Sequence, residues 1–272
     1  MNEMTWLHIS LFCSRRIAHQ VLKEGVQPFI KQCRANNEFR TWFFAFNTQS
    51  GENIRLSLQV PANQAAVISI HSKAHFSSFF KQHNFPQTPL HFPLKELFLP
   101  FPENSIRFGL YYMRTVEKEM IPDVTQRISE VMMEALGETE IDEEAVLTLC
   151  LYFHLVLKKK ILEVCPDNEQ LLKVFYIIDA TTDSSILAFW KERTDHNQSV
   201  VKEICDDTYD PEFYKHQPWI TRWEGLCTEA ILNGDFNSNI NTLIHNVNMQ
   251  LDLTYYQTQL IQYMVKSTWN ES

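Results

Sequence analysis

The clearest pattern in the chain is a strict alternation. In Ile54-Arg55-Leu56-Ser57-Leu58-Gln59-Val60 the apolar residues fall on one side and Arg55, Ser57 and Gln59 on the other. A period of two predicts a strand, with one face toward the core and the other toward solvent or a cleft. Thr41-Trp42-Phe43-Phe44-Ala45-Phe46 predicts its partner, and the turn formers of Asn47–Asn53 join the two as a hairpin. Trp6–Phe12 predicts a further strand, through alternation at Leu7, Ile9 and Leu11.

Elsewhere the apolar period is that of a helix. Ile17, Val21, Leu22, Val26, Phe29, Ile30 and Cys33 predict a helix from Ser14 to about Ala35, with Gly25 and Pro28 as points of bending. Pro61 closes the second hairpin strand, and a helix follows over about 63–82. Residues 84–102 carry five prolines and predict an extended surface connection. After Gly109 the pattern is helical at 111–136, 143–164, 169–178, 184–193, 219–232, 238–251 and 255–266. The fold class expected is α+β: N-terminal strands in a mixed or antiparallel sheet packed by helices, then a mostly helical C-terminal half. Residues 1–272 are taken as a single domain, with a candidate subdomain seam near Gly109.

Composition narrows the functions. The 272 residues carry 24 Lys+Arg against 33 Asp+Glu, a net charge of -9. Polyanion binding needs clustered cations, so a direct tRNA-binding surface is not expected. Aromatic residues make up 12%, which excludes a disordered chain. No apolar run approaches the ~18–20 residues of a membrane span. Met1–Thr5 carries a Glu and runs into a strand-like pattern, unlike a secretory signal. Six cysteines without a CxxC pair read as buried thiols of a reducing cytoplasm, not as a disulfide framework or a zinc site.

Several clusters invite a chemical reading. His71 and His75 share a helix face and could reach a metal, but no neighbour in sequence supplies a third ligand. Asp206, Asp207 and Asp210 lack the spacing and glycine of a calcium loop and read as a solvated loop. Lys158–Lys160 read as cations at a helix C-terminus. Nucleophile-elbow, phosphate-loop and dinucleotide motifs are absent from the sequence.

Three stretches carry more in combination. They are Trp42-Phe43-Phe44 leading to Asn53-Ile54-Arg55-Leu56; Phe101–Gly109 followed by Glu117 and Asp123; and Leu243–Leu251 around His245. Their order and span resemble the C-terminal, glutamate-eliminating domain of lantibiotic dehydratases. This domain also occurs alone in thiopeptide-type bacteriocin biosynthesis. The match is partial residue by residue. Where the family has Arg-Tyr after its first aromatic strand, this chain has Phe46-Asn47. Arg55 is kept on the facing strand, and Arg107-Phe108-Gly109-Leu110 matches the Arg-Tyr-Gly-Gly stretch. Glu117 and Asp123 match the downstream acids. His245 is kept in the closing motif, whose Asn and Arg are lost.

The resemblance implies a precursor peptide whose Ser or Thr side chains carry glutamate, and a β-elimination that leaves dehydroamino acids. Such chemistry needs a base at Cα and cations for the glutamyl carboxylates. It implies His245 and Arg55 as catalytic residues, and Arg107, Asn53 and Glu117 as substrate-binding residues. It implies no metal and no organic cofactor, a cytoplasmic setting and a separate glutamylating protein as partner; homo-oligomerisation stays open. Two alternatives also stay open. Diverged relatives join two dehydroalanines into a pyridine ring, and a degenerate domain would bind a precursor or partner without catalysis, for instance by strand addition at a sheet edge.

Overall fold

The computed structural model describes residues 3–86, 101–109, 122–137, 141–164, 184–233 and 235–268. The chain divides into two compact units, Met1–Asp142 and Glu143–Ser272. The division falls beyond the composition shift at Gly109.

The first unit is built on an antiparallel sheet of four strands in the order β2-β3-β1-β4. These are β1 (Met4–Phe12), β2 (Thr41–Asn47), β3 (Asn53–Pro61) and β4 (Ser105–Phe108). The expected hairpin is present. Ser50 and Gly51 turn it with positive φ of 62° and 114°, a conformation that glycine adopts without steric cost. The apolar row of β3, from Ile54 to Val60, is fully buried. On the other face the solvated choice is ruled out at Arg55 and Ser57. Arg55 is 3% exposed and Ser57 and Ser10 0%, so this face of the central strands is interior and polar rather than solvated. β4 is the strand that the alternation does not reveal. Its four residues are extended because they pair with β1.

β2 is an edge strand, and a helix covers its edge. The Gln126 side chain of α4 (Pro122–Leu136) accepts from Trp42 N at 3.3 Å, and Ser129 Oγ accepts from Phe44 N at 3.2 Å. Two backbone donors that would otherwise invite another strand are thereby satisfied. Strand addition at this edge is closed.

Between β1 and β2 the expected helix is irregular. A 3-10 turn (Arg15–Ile17) leads to α1 (Ala18–Gln20), a π-helical turn (Val21–Val26) and α2 (Gln27–Ala35). The wide turn contains Gly25 and ends where Pro28 enters, the two positions marked for bending. A Cβ on Gly25 would stand 3.3 Å from the Phe79 ring of α3 (Ala65–His83), so the glycine admits close helix approach. α3 packs against β1 and β4.

The described part of the second unit is helical: α5 (Glu143–Val164), α6 (Ser184–His196), α7 (Gln198–Asp207), α8 (Pro211–His216), α9 (Pro218–Leu232), α10 (Phe236–Gln250) and α11 (Tyr255–Ser267). The helix expected at 169–178 lies outside the described residues. The acidic stretch is solvated at Asp206 and Asp210, as expected, but only in part a loop. Asp206 and Asp207 end α7, Tyr152 Oη donates to Asp207 Oδ2, and Asp210 caps α8 by accepting from Glu212 N at 2.9 Å. The three lysines likewise do more than end a helix, since α5 continues to Val164. Lys158 Nζ donates to Thr268 Oγ1 at 2.8 Å, and Lys159 Nζ reaches Thr208 O, Tyr214 Oη and Glu224 Oε1 within 3.1 Å. Among the described residues no helix is long and apolar enough to cross a membrane.

Candidate active site

Strand register brings distant polar residues together. Ser10 is the cross-strand partner of Arg55 on one side and of Arg107 on the other. Directly paired residues share a face, so both guanidinium-bearing residues stand on the same face, one strand either side of Ser10. In the row on one side His8 pairs with Ser57, and in the row on the other side Phe12 pairs with Asn53 and Ser105. All share the face of Arg55 because they lie two residues apart along their strands.

The two arginines sit in different surroundings. Arg55 is buried near the middle of the sheet, while Arg107 is exposed on the short edge strand. The Arg107 guanidinium lies over the Phe101 ring at 4.9 Å, and Phe101 packs on Phe12 at 5.0 Å. Stacking on an aromatic face orients a guanidinium while leaving its in-plane N–H groups directed outward, the geometry that carboxylates accept.

His8 is a member that the sequence reading did not select. Its Nδ1 is 2.8 Å from Ser57 Oγ, and its ring stacks with Trp6 at 6.3 Å. Burial, and then the positive charge of Arg55, hold its pKa down to about 4. The imidazole is therefore neutral at physiological pH, the state in which it can accept a proton. The only signal in the sequence was a histidine in an alternating strand. Its proximity to Arg55 is a product of β1–β3 register.

The remaining expected residues are placed as follows. Asn53 is buried, and its Nδ2 donates to Asn47 O at 3.1 Å and Gly51 O at 2.8 Å. Its amide thus holds the hairpin turn, at the end of the strand that carries Arg55. His245 is exposed on α10 of the second unit. Beside it in sequence, Asn246 and Asn248 are buried, and Asn248 Oδ1 lies 3.2 Å from Nε2 of the buried His154. Glu117 lies outside the described residues. The two histidines of α3 part company: His75 Nε2 bonds Gly25 O at 2.9 Å, while His71 Nδ1 faces Glu38 Oε2 at 3.5 Å.

The fold and the polar face can be set beside known proteins. The family model described as lantibiotic biosynthesis dehydratase C-term matches residues 6–218, and the chain belongs to that family. Among solved structures, TbtD, a pyridine synthase from thiomuracin biosynthesis, aligns over 98% of each chain at 12% identity with a TM-score of 0.64. TsrL aligns over 99% of this chain and 95% of its own, at 10% identity and a TM-score of 0.56. The tRNA-dependent lantibiotic dehydratase MibB from Microbispora sp. 107891 aligns over 98% of this chain at 13% identity and a TM-score of 0.52. This chain spans 28% of the MibB chain. No curated protein sequence matches it. At these identities the likenesses establish a shared fold.

Proposed function

We propose that this chain is a stand-alone elimination component of modified-peptide biosynthesis. It takes a ribosomally made precursor bearing glutamyl esters on Ser or Thr, made by a separate glutamylating protein, and expels glutamate. A base removes the Cα proton, the electron pair forms the Cα=Cβ bond, and the Cβ–O bond breaks as glutamate leaves. The observation that carries this reading is the Arg55–Ser10–Arg107 row, two guanidinium side chains on one face of the sheet. Arg107 on Phe101 grips a glutamyl carboxylate, and Arg55 stabilises charge that develops as the proton is lost. Asn53 supports this site by fixing the turn before Arg55. Two imidazoles compete for the base: His245, which the family resemblance implies, and His8, which stands on the arginine face.

A second reading has support of its own. The chain aligns over nearly its whole length with a pyridine synthase, and it has Phe46 at the position where the family carries an arginine. A substrate without glutamate needs fewer carboxylate contacts, so joining two dehydroalanines into a pyridine is the competing reaction.

Two substrates separate the readings. Incubation with a glutamylated precursor is expected to release free glutamate and give a dehydrated peptide. Conversion of an already dehydrated peptide, with no glutamate released from the first substrate, would replace elimination with ring formation. Complex formation without a mass change in either peptide would leave a binding module.

A further inference from the structure

Cys33, Glu38 and His71 each place one ligand-type atom within 4.8 Å of the other two. They come from three places in the chain: the end of α2, the loop after it, and the middle of α3. A helix stop brings the first two together. Asn37 takes a positive φ of 53°, its N–H bonds Arg34 O at 3.1 Å, and Glu38 N bonds Cys33 O at 2.9 Å. This left-handed termination folds Glu38 back over the last turn of the helix, beside Cys33. α3 then delivers His71, whose ring packs on Phe29 of α2 at 5.5 Å.

The donors are unlike an ordinary surface cluster. Cys33 is fully buried. Glu38 Oε1 accepts from Asn36 Nδ2 at 3.1 Å. Glu38 Oε2 is buried, and the groups facing it are the Cys33 thiol and His71 Nδ1, the latter at 3.5 Å. A buried carboxylate oxygen faced by an imidazole nitrogen and a thiol, both of them ligand-type groups, is an acceptor that a cation can share with them. The edge of a tetrahedron with bonds of ~2.0–2.3 Å is about 3.5 Å, so these two atoms are already spaced as neighbours on one ion.

We infer that Cys33 Sγ, Glu38 Oε2 and His71 Nδ1 form a binding site for a borderline-soft divalent cation of the zinc class, with solvent as the fourth ligand. The sulfur and nitrogen donors select against magnesium and calcium, which take oxygen ligands. Binding releases the Cys33 thiol proton to solvent and forms the metal–sulfur bond, with no change of oxidation state. The cation itself makes the thiolate on binding. The site lies outside the strands that carry Arg55 and Arg107. Its ion ties the end of α2 to α3, which makes it a structural clamp. In sequence His71 lacked a third ligand; the helix stop at Asn37 supplies two.

The test is titration of the reduced, metal-free chain with Co²⁺, followed by competition with Zn²⁺. The expected result is one cobalt per chain, a thiolate-to-cobalt charge-transfer band that Zn²⁺ abolishes, and a raised thermal midpoint with Zn²⁺. Cys33→Ser removes the band, and His71→Asn or Glu38→Gln weakens cobalt binding by roughly tenfold or more. Cys205→Ser, a substitution of the half-buried cysteine on α7, leaves the band intact. His71 is part-exposed, so His71→Asn keeps the test valid where Cys33→Ser fails to fold. No charge-transfer band from the folded wild-type chain would overturn the site, as would a band of equal strength in a folded Cys33→Ser or His71→Asn variant.

Discussion

Arg55 and Arg107 are both direct cross-strand partners of Ser10, from opposite sides. Two cations are thereby held in one row by main-chain pairing, and the pairing limits how far apart they can move. If both act on a glutamylated peptide, their losses differ in kind. Arg107→Ala removes an exposed contact worth about 1.5–3 kcal/mol, or roughly 10- to 100-fold in kcat/KM, with little change in stability. Arg55→Lys keeps the charge and loses the planar fork, so activity falls while the fold holds. Glutamate-release kinetics beside urea unfolding check both variants.

Acid destabilises this chain through its buried imidazoles. His8 and His154 titrate at about 4 when folded, against 6.5 for an ordinary histidine, with burial as the main cause at both. Between pH 6.5 and 4 the unfolded chain therefore binds protons that the folded chain refuses, and stability falls as the pH falls. Urea midpoints measured across this window should decline steadily. His8→Asn and His154→Gln should each flatten the decline.

The covered edge of β2 makes a separate prediction. Ser129→Ala leaves the buried Phe44 N–H without its acceptor, which costs about 1–3 kcal/mol. Gln126→Ala exposes the neighbouring donor at Trp42 in the same way. The double variant should show a lower thermal midpoint by calorimetry and, by light scattering, association through the uncovered strand.

Gly109 follows β4 with a φ of +65°, and no atom lies within 4 Å of where its Cβ would be. Gly109→Ala therefore meets backbone strain without a clash. About 1–2 kcal/mol of destabilisation is expected in a local opening of β4, which hydrogen exchange of Ile106 and Phe108 amides would report. Arg107 should lose activity with it.

The hairpin was legible because alternation is a local signal, and Ile54 to Val60 displays it without a break. What the alternation could not supply was the surroundings of the other face. The face of Arg55 and Ser57 was open between solvent and a cleft, and burial of both rules out the solvated choice, since covering of a sheet is a tertiary property. β4 was hidden because four residues carry too little pattern; its strand character comes from β1. α7 was masked by the acids at its end, although Val200, Val201 and Ile204 have helical spacing, and the six-residue α8 depends on its Asp210 cap. Arg55, Arg107 and His245 could be selected from motif order. His8 could not, because only the β1–β3 register sets it beside Ser57 and near Arg55. The trio Cys33, Glu38 and His71 stayed hidden for the same reason: the stop at Asn37 that folds Glu38 back has no periodic signature.

A double-mutant cycle most directly tests whether the two arginines form one glutamyl-binding site. Binding of a glutamylated precursor would be measured for the wild type, Arg55→Lys, Arg107→Ala and the double variant, with the unesterified precursor as reference. A shared site predicts that each substitution weakens only the glutamylated peptide and that the two losses are coupled by about 0.5–3 kcal/mol. Equal weakening of both peptides, or losses that simply add, would contradict it.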